Sequence, residues 1–334
     1  MSLGIIICIF LVLNISVVIL NRKIASLINI YDNPDGVRKI HVGRIPLLGG
    51  TIIFANLALL AIIKLLDTNI SIFIDINEDI KNHYSFFLGI LFFYLIGLID
   101  DKLNLEALYK FIVMIFFLGF ILILDKSLVI QYVEFTFVSR TFDLGLFSFP
   151  FTILCFMLLL NAYNMFDGIN LQAGLYSIFI FIFFLYQDMM ILFSLVMLLS
   201  LLSICFLNFF NKSFMGNSGT YLISFIVGYL FIKLYNERLI SYTDEVFLIM
   251  MIPGIDLMRL FFIRLIKQRS PFSPDRNHLH HLLLEKYGYK ISILLIIFLF
   301  VTPVLLDLYL ATFHSILIGL TSYVIFLFLT GLKR

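Results

Sequence analysis

Long apolar stretches separated by short polar connections dominate the chain. A helix crosses the hydrocarbon core of a bilayer in about 20 residues, and backbone groups in lipid must be paired internally, so helices are the default for such stretches. With this ruler the pattern predicts eleven transmembrane helices. The predicted spans are roughly 3–20, 45–66, 84–99, 108–124, 149–163, 171–186, 189–210, 219–235, 245–265, 291–310 and 313–332.

The segment 127–148 departs from this helical pattern. Val, Ile, Tyr, Phe and Thr alternate there with polar residues, most clearly in Val133, Glu134, Phe135 and Thr136, and this alternation is typical of β-strands. We expect a short β-hairpin in an outer loop. We predict that the whole chain, 1–334, is a single all-α membrane domain built as a polytopic transmembrane helical bundle.

The composition agrees with a membrane protein and excludes other classes. Hydrophobic residues make up 62% of the chain and charged residues only 13%, whereas a soluble domain is about a quarter charged. Water-soluble, disordered and fibrous proteins are thereby excluded. The net charge of +2 gives no indication of a nucleic-acid partner. The three cysteines lie in apolar runs and show neither zinc-site spacing nor a disulfide framework.

Lysine and arginine indicate the orientation in the membrane. Most of the 23 Lys and Arg residues fall in one alternate set of connections, and positive loops remain cytoplasmic. This predicts an outer N-terminus and an inner C-terminus. The first apolar run lacks a basic start and a cleavage site, so we interpret it as a retained span. The cytoplasmic connections with candidate chemistry are then about 21–44, 100–110, 161–170, 211–219 and 264–290.

Clusters of Asp, Asn, His and Gly occupy these same five connections, although the predicted orientation depends on lysine and arginine alone. Two adjacent carboxylates, Asp100 and Asp101, repel each other and attract a cation, unless they are simply a solvated helix end. Asn161, Asn164 and Asp167 recur every three residues and form one polar stripe on a helix. Interhelical hydrogen bonding is the alternative explanation of that stripe.

The remaining clusters contain glycine, histidine and arginine. The run Gly216–Gly219 is either a turn with a helix cap or a set of N–H groups that faces an anion. His278, His280 and His281 lie beside Arg276, which favours a phosphate-binding patch over a zinc site.

Asp256 and Arg259, three residues apart in the ninth span, are interpreted as an ion pair within the helix. The five clusters together supply oxygen ligands for a hard cation, basic groups for phosphates and glycines for close approach, the components of a diphosphate–metal site at the membrane surface. No P-loop or G-x-G-x-x-G motif is present, so a nucleotide-driven motor has no support.

The first cluster, in the connection 21–44, contains Asp32, Asp35, Lys39 and His41. The five clusters, in this order over residues 32–281, resemble the polyprenyl-phosphate N-acetylhexosamine-1-phosphate transferases, a membrane glycosyltransferase family that includes the phospho-MurNAc-pentapeptide transferases. The eleven spans and the His-rich stretch are similar to those of the bacterial N-acetylglucosamine branch. The peptidoglycan branch has three consecutive histidines, whereas here Leu279 interrupts them. The resemblance implies transfer of N-acetylhexosamine-1-phosphate from a UDP-sugar to undecaprenyl phosphate, with Mg²⁺ or Mn²⁺ as cofactor. It implies an active site on the cytoplasmic face of the bacterial inner membrane.

The resemblance also implies roles for individual positions. Asp100, Asp101 and Lys110 would be catalytic, and Asp101 would share the metal with Asn164 and Asn217. The expected nucleotide- and sugar-binding residues are Asn161, Asp167, Asn170, Arg276, His278, His280 and His281. The expected phosphate contacts are Lys39 and His41.

Two positions depart from the family pattern. Asn217 stands where the family usually has an Asp that binds the metal, and Leu171 stands where Gly is usual. The first departure keeps a non-catalytic paralogue open as an alternative, beside a phospho-MurNAc-pentapeptide transferase. A transporter is a further alternative, but it would place ionisable groups in the middle of its spans, whereas here they crowd one face.

Overall fold

The computed structural model describes residues 2–34, 43–67, 70, 80–270 and 276–331. Within these ranges the chain forms eleven α-helices and two short antiparallel β-hairpins. The helices are α1 Leu3–Ile28, α2 Gly49–Leu66, α3 Ile80–Leu103, α4 Ala107–Leu124, α5 Ser148–Phe166, α6 Gln172–Tyr186, α7 Ile191–Phe209, α8 Gly216–Asn236, α9 Thr243–Ile266, α10 Leu279–Leu306 and α11 Thr312–Thr330. The strands are β1 Tyr31–Asp32, β2 Ile45–Pro46, β3 Tyr132–Phe135 and β4 Val138–Asp143.

The helices confirm the predicted all-α transmembrane bundle. Each predicted span corresponds to one helix, and in the described part of the chain nine helices are long and apolar enough to cross a membrane. Helix α6 is apolar but shorter, with 15 residues. The protein is therefore a multi-pass membrane protein.

Several helices extend beyond the apolar stretches that predicted them. Helix α8 begins at Gly216, and α10 begins at Leu279 and is interrupted at Gly288, whose backbone is non-helical with φ of 72°. Most polar clusters placed in loops therefore lie on the first or last turns of helices. The apolar pattern marks where lipid begins, but a helix continues into water as long as its hydrogen bonds are kept.

Helix α8 lies at the centre of the bundle, packed against α2, α3 and α5. Its residues are buried without interruption from Ser218 to Tyr235. Close approach depends on glycine: a Cβ added at Gly97 of α3 would lie 2.3 Å from the Ser218 Cα atom, and one at Gly50 of α2 would lie 2.5 Å from the Ser218 carbonyl carbon. Small residues commonly allow such contacts in membrane bundles.

The two hairpins lie at opposite ends of the bundle. The β3–β4 hairpin confirms the predicted hairpin and contacts the end of α8, where the Glu134 N–H donates to the Tyr235 hydroxyl at 3.1 Å. The β1–β2 hairpin was not predicted, because two-residue strands carry no alternating pattern. After β2 the chain runs beside the start of α8, where the Phe214 N–H donates to the Pro46 carbonyl at 3.0 Å.

Candidate active site

The last turn of α3 and the first turn of α8 meet through the carboxylate of Asp101. Its Oδ1 accepts the Asn217 N–H at 2.7 Å and its Oδ2 accepts the Ser218 N–H at 3.0 Å. Gly216 has a φ of +72°, and a Cβ there would lie 2.8 Å from Asp101 Oδ2. The run Gly216–Gly219 is therefore a helix start whose N–H groups face an anion, and that anion is a carboxylate of the same chain.

The neighbouring Asp100 has a different environment. It is only 1% exposed, and its Oδ2 lies 2.8 Å from the Lys110 ammonium and accepts the Tyr221 hydroxyl, also at 2.8 Å. Its Oδ1 accepts the Leu105 N–H at 2.9 Å. Asp100 and Lys110, both predicted to be catalytic, are thus paired with each other, while the side chain of Lys110 keeps 23% of its surface exposed.

The predicted amide residues of α5 divide into two kinds. Asn164 Oδ1 lies 3.0 Å from the Thr220 hydroxyl, which also lies 3.2 Å from the Asn217 carbonyl oxygen. Asn161 instead donates from Nδ2 to the Met157 carbonyl of its own helix at 2.7 Å. Of these two, Asn164 is the one that a hydrogen bond links to the start of α8.

Asp167 follows the end of α5 and brings a second carboxylate near Asp101. Burial raises the pKa of Asp167 to about 7, and the charge of Asp101 adds to this effect. Asp101 lies beyond the predicted span 84–99, and burial raises its pKa to about 6. Hydrogen bonds from the N–H groups of Ser218 and Asn217 lower this pKa, whereas the charge of Asp100 raises it. A nearby cation would relieve the burial and repulsion of these carboxylates.

The donor set at this end of the bundle fits a hard cation. Carboxylate oxygens of Asp101 and Asp167, and amide oxygens of Asn164 and Asn217, are the ligand type that Mg²⁺ prefers. Among the described residues, no group of three His, Cys, Asp or Glu side chains is placed to hold a metal. A metal here would therefore depend on amide and substrate oxygens as well as on the two carboxylates.

The histidine segment contacts the turn that follows α5. The ring of His280 is buried against Gly168, where an added Cβ would lie 1.8 Å from His280 Nε2. His280 Nδ1 lies 3.5 Å from the side-chain nitrogen of Gln172, and the ring of His281 lies beside it with centroids 4.2 Å apart. The third and fifth polar clusters are thus brought together, and exposed Arg276 precedes them.

His278 is attached to α9 rather than to that turn. Its Nδ1 lies 2.7 Å from Asp256 Oδ2. The predicted ion pair between Asp256 and Arg259 is confirmed at 2.8 Å, but it is part of a larger set of contacts that also holds His278. Sequence reasoning missed this contact, although an acid within an apolar span was a signal for it.

The turn between α5 and α6 is fixed to the end of α7. Asn170 Nδ2 donates to the Asn211 side chain at 2.7 Å and to the Asn208 carbonyl at 3.2 Å, while the Leu171 N–H donates to Asn208 Oδ1 at 2.6 Å. Leu171 has a left-handed backbone with φ of +68°, a conformation that glycine adopts without strain. Through its hydrogen bonds to Asn208 and Asn211, Asn170 therefore stabilises the turn.

Other polar residues of the site were not singled out from the sequence. Thr220, Tyr221 and Gln172 are buried, and their side chains lie within hydrogen-bonding distance of candidate site residues on other helices. In the sequence, however, each is an ordinary residue of an apolar helix. Lys39 and His41, the predicted phosphate contacts, lie outside the described residues.

Comparison with known protein families matches a large central part of the chain. The model of glycosyl transferase family 4 matches residues 83–235. The match includes the acidic pair, the Asn161–Asn170 cluster and the start of α8.

Curated relatives match a longer region. A protein of Salmonella typhi named undecaprenyl-phosphate alpha-N-acetylglucosaminyl 1-phosphate transferase is 29% identical over 283 residues, which cover 80% of this chain and 72% of the relative. The protein of the same name in Escherichia coli (strain K12) is 28% identical, over 79% of this chain and 71% of the relative. A probable undecaprenyl-phosphate N-acetylglucosaminyl 1-phosphate transferase of Bacillus subtilis (strain 168) is 26% identical, over 82% and 75%. Residues 83–235, which carry much of the polar cluster at one end of the transmembrane bundle, are thus similar to glycosyl transferase family 4.

Proposed function

We propose that this protein transfers N-acetylhexosamine-1-phosphate from a UDP-sugar to undecaprenyl phosphate. An oxygen of the lipid phosphate attacks the β-phosphorus of the donor, the bond between that phosphorus and the bridging oxygen breaks, and UMP leaves. The observation that carries the proposal is the position of Asp167 at one end of a membrane bundle: it lies near the charge of Asp101, and the next residue, Gly168, packs against His280. The names of the relatives agree with this reaction and with undecaprenyl phosphate as the lipid acceptor.

The barrier to this reaction is electrostatic, because an anionic lipid phosphate must approach an anionic diphosphate. Positioned cations and fixed dipoles are therefore the useful catalytic groups. The ammonium of Lys110, oriented by its ion pair with Asp100, would contact phosphate. Asp101, held at the end of α3 by the start of α8, would orient the lipid phosphate, and Lys39 and His41 remain the predicted phosphate contacts.

Transferases of this family depend on a metal ion, and we propose Mg²⁺, with Mn²⁺ as an alternative. Asp101, Asp167, Asn164 and Asn217 would hold it. When bound, Mg²⁺ supplies positive charge and Lewis acidity to the diphosphate. The charged form of Asp167, whose pKa is raised to about 7, is the form that binds a cation.

The donor would be held by the third and fifth clusters. Basic and hydrogen-bonding groups beside the diphosphate and sugar would come from Asn161, Asp167, Asn170, Arg276, His278, His280 and His281. We propose that this end of the bundle faces the cytoplasm at the bacterial inner membrane, because most lysine and arginine residues are in connections on that side. The product would initiate a cell-surface glycan of the O-antigen type.

The decisive experiment measures UMP released by membranes that contain the protein. We expect UMP from at least one UDP-N-acetylhexosamine, and only when both undecaprenyl phosphate and Mg²⁺ are present. The donor panel should include both C4 epimers and UDP-MurNAc-pentapeptide. Absence of UMP with every donor would refute the proposal, and turnover of UDP-MurNAc-pentapeptide would assign the peptidoglycan reaction instead.

A non-catalytic paralogue is favoured by one observation, the uncharged Asn217 at a proposed metal position. It predicts that the protein binds UDP-sugar but releases no UMP at any Mg²⁺ concentration. Substrate-dependent flux across sealed vesicles would instead support a transporter.

A further inference from the structure

The carboxylate of Asp256 collects four hydrogen-bonding partners from three parts of the chain. Its Oδ1 accepts from the Arg259 guanidinium at 2.8 Å, the Tyr323 hydroxyl at 2.7 Å and the Leu279 N–H at 3.2 Å. Its Oδ2 lies 2.7 Å from His278 Nδ1. Asp256 is only 5% exposed, so helices α9, α10 and α11 meet at one buried charge.

This charge is already balanced without the histidine. Arg259 donates to Asp256 and also to Tyr323 through Nε at 2.9 Å, and a paired cation is what a buried carboxylate requires. The contact with His278 is therefore not needed for charge compensation. It fixes the histidine, because a carboxylate accepts a hydrogen only from a ring nitrogen that carries one.

The fixed ring lies next to the proposed donor site. The rings of His278 and His280 are nearly parallel, with centroids 5.4 Å apart and an angle of 10° between planes, and His280 rests on Gly168 beside Asp167. With Nδ1 held by Asp256, Nε2 is the nitrogen that remains for a ligand. That Nε2 makes no hydrogen bond with any described residue.

We infer that Asp256 is a positioning residue for sugar-phosphate transfer: it holds His278 in one tautomer and one orientation, so that Nε2 contacts the diphosphate of the donor. The inference rests on the proposed function. Arg259 and Tyr323 hold Asp256 in turn, so the last helix of the bundle takes part in arranging the site. The competing explanation is that Asp256 only caps α10 through the Leu279 N–H.

A double-mutant cycle separates positioning from capping. We expect Asp256→Asn to lower kcat by about 10- to 100-fold, the loss found when the carboxylate partner of a metal-binding histidine is removed. In a His278→Ala background the same change should lower kcat by less than about threefold, because coupled residues are not additive. Equal losses in both backgrounds, or no loss in the wild-type background, would overturn the inference.

The matched control is Asp188→Asn, at an exposed position of the α6–α7 connection, which should leave kcat unchanged. The melting temperature of every variant in detergent reports whether it is folded.

A second measurement is independent of whether Asp256→Asn folds. Nitrogen-15 NMR of histidine-labelled wild-type protein, with the signals of His278 among the six histidines identified by His278→Ala, should show the hydrogen on Nδ1. A neutral His278 with its hydrogen on Nε2 would overturn the inference. The same protein distinguishes the two failures: wild-type protein that releases no UMP with any donor refutes the proposed function, whereas active protein with additive losses refutes only the role of Asp256.

Discussion

The two ends of helix α8 bury charge in different ways. At the end near the β3–β4 hairpin, Lys233 is 0% exposed and its ammonium lies 3.0 Å from Asp125 Oδ2. Ser85 donates to the same carboxylate oxygen at 2.8 Å, and Ser127 also donates to Asp125. At the other end, Asp101 is held by two backbone N–H groups and lies near a second acid, Asp167.

The pKa values follow this difference. Burial alone would raise the pKa of Asp125, but hydrogen bonds from Ser127 and the charge of Lys233 outweigh it, and the pKa is lowered. At the opposite end burial prevails, and the pKa rises to about 6 for Asp101 and about 7 for Asp167. Burial of a charge therefore does not identify a functional site. A buried charge that lacks a full set of hydrogen-bonding and charged partners does identify one, because it can still bind a ligand.

The largest expected effect comes from breaking the fully paired end. Lys233→Met leaves the Asp125 carboxylate buried without a counter-charge, and we expect the free energy of unfolding to fall by about 3–5 kcal/mol. Denaturant titration in detergent measures this loss, while kcat per folded molecule should be unchanged. Asp125→Asn combined with Lys233→Met should recover most of the stability, and a double variant no more stable than Lys233→Met would contradict the pairing argument.

The next effect is on activity at the other end. Asp101→Asn keeps one oxygen that can accept an N–H from the start of α8, but its amide NH₂ group then faces the second N–H, so we expect the free energy of unfolding to fall by about 1–3 kcal/mol. Removal of the charge should lower the rate of UMP release by about 10²- to 10³-fold, as when one positioned polar group is removed from an active site. A variant that works at the wild-type rate would exclude Asp101 from the reaction.

A smaller effect is expected from adding charge to the incompletely paired end. Asn217→Asp places a third carboxylate near Asp101 and Asp167, so we expect the Mg²⁺ concentration that gives half the maximal rate to fall by about tenfold. Without metal the like charges repel, and the melting temperature should be lower than that of the wild type. An unchanged Mg²⁺ dependence would show that position 217 is not a metal ligand.

The smallest effect concerns the turn that carries Asp167. The left-handed backbone of Leu171 is strained by about 1–2 kcal/mol, because a side chain is present. Leu171→Gly removes this strain but also the contacts of the leucine side chain, so we expect a net gain in stability of about 1 kcal/mol. Leu171→Ala keeps the strain and also loses those contacts, so it should be less stable than the wild type. Thermal unfolding of both variants checks this, and a destabilised Leu171→Gly variant would refute the strain argument.

The local sequence was sufficient for the helices and for the identity of the polar residues. Stretches of about 20 apolar residues have one low-energy arrangement in lipid, so α1–α11 follow from hydropathy. The alternation of apolar and polar residues from Val133 to Thr136 predicted the β3–β4 hairpin. The sequence also placed Asp100–Asp101, Asn164, Asp167 and the histidines in one set of connections.

Only the tertiary structure decided which of these residues are fully paired within the protein and which remain available to a ligand. Asp100 and Asp101 are adjacent and chemically identical, yet one faces Lys110 and Tyr221 whereas the other faces the start of α8. His278 is held by an acid on another helix. Local patterns report the preference of a residue for lipid or water, whereas partners depend on distances between helices distant in sequence, and these distances are set by packing of the whole bundle.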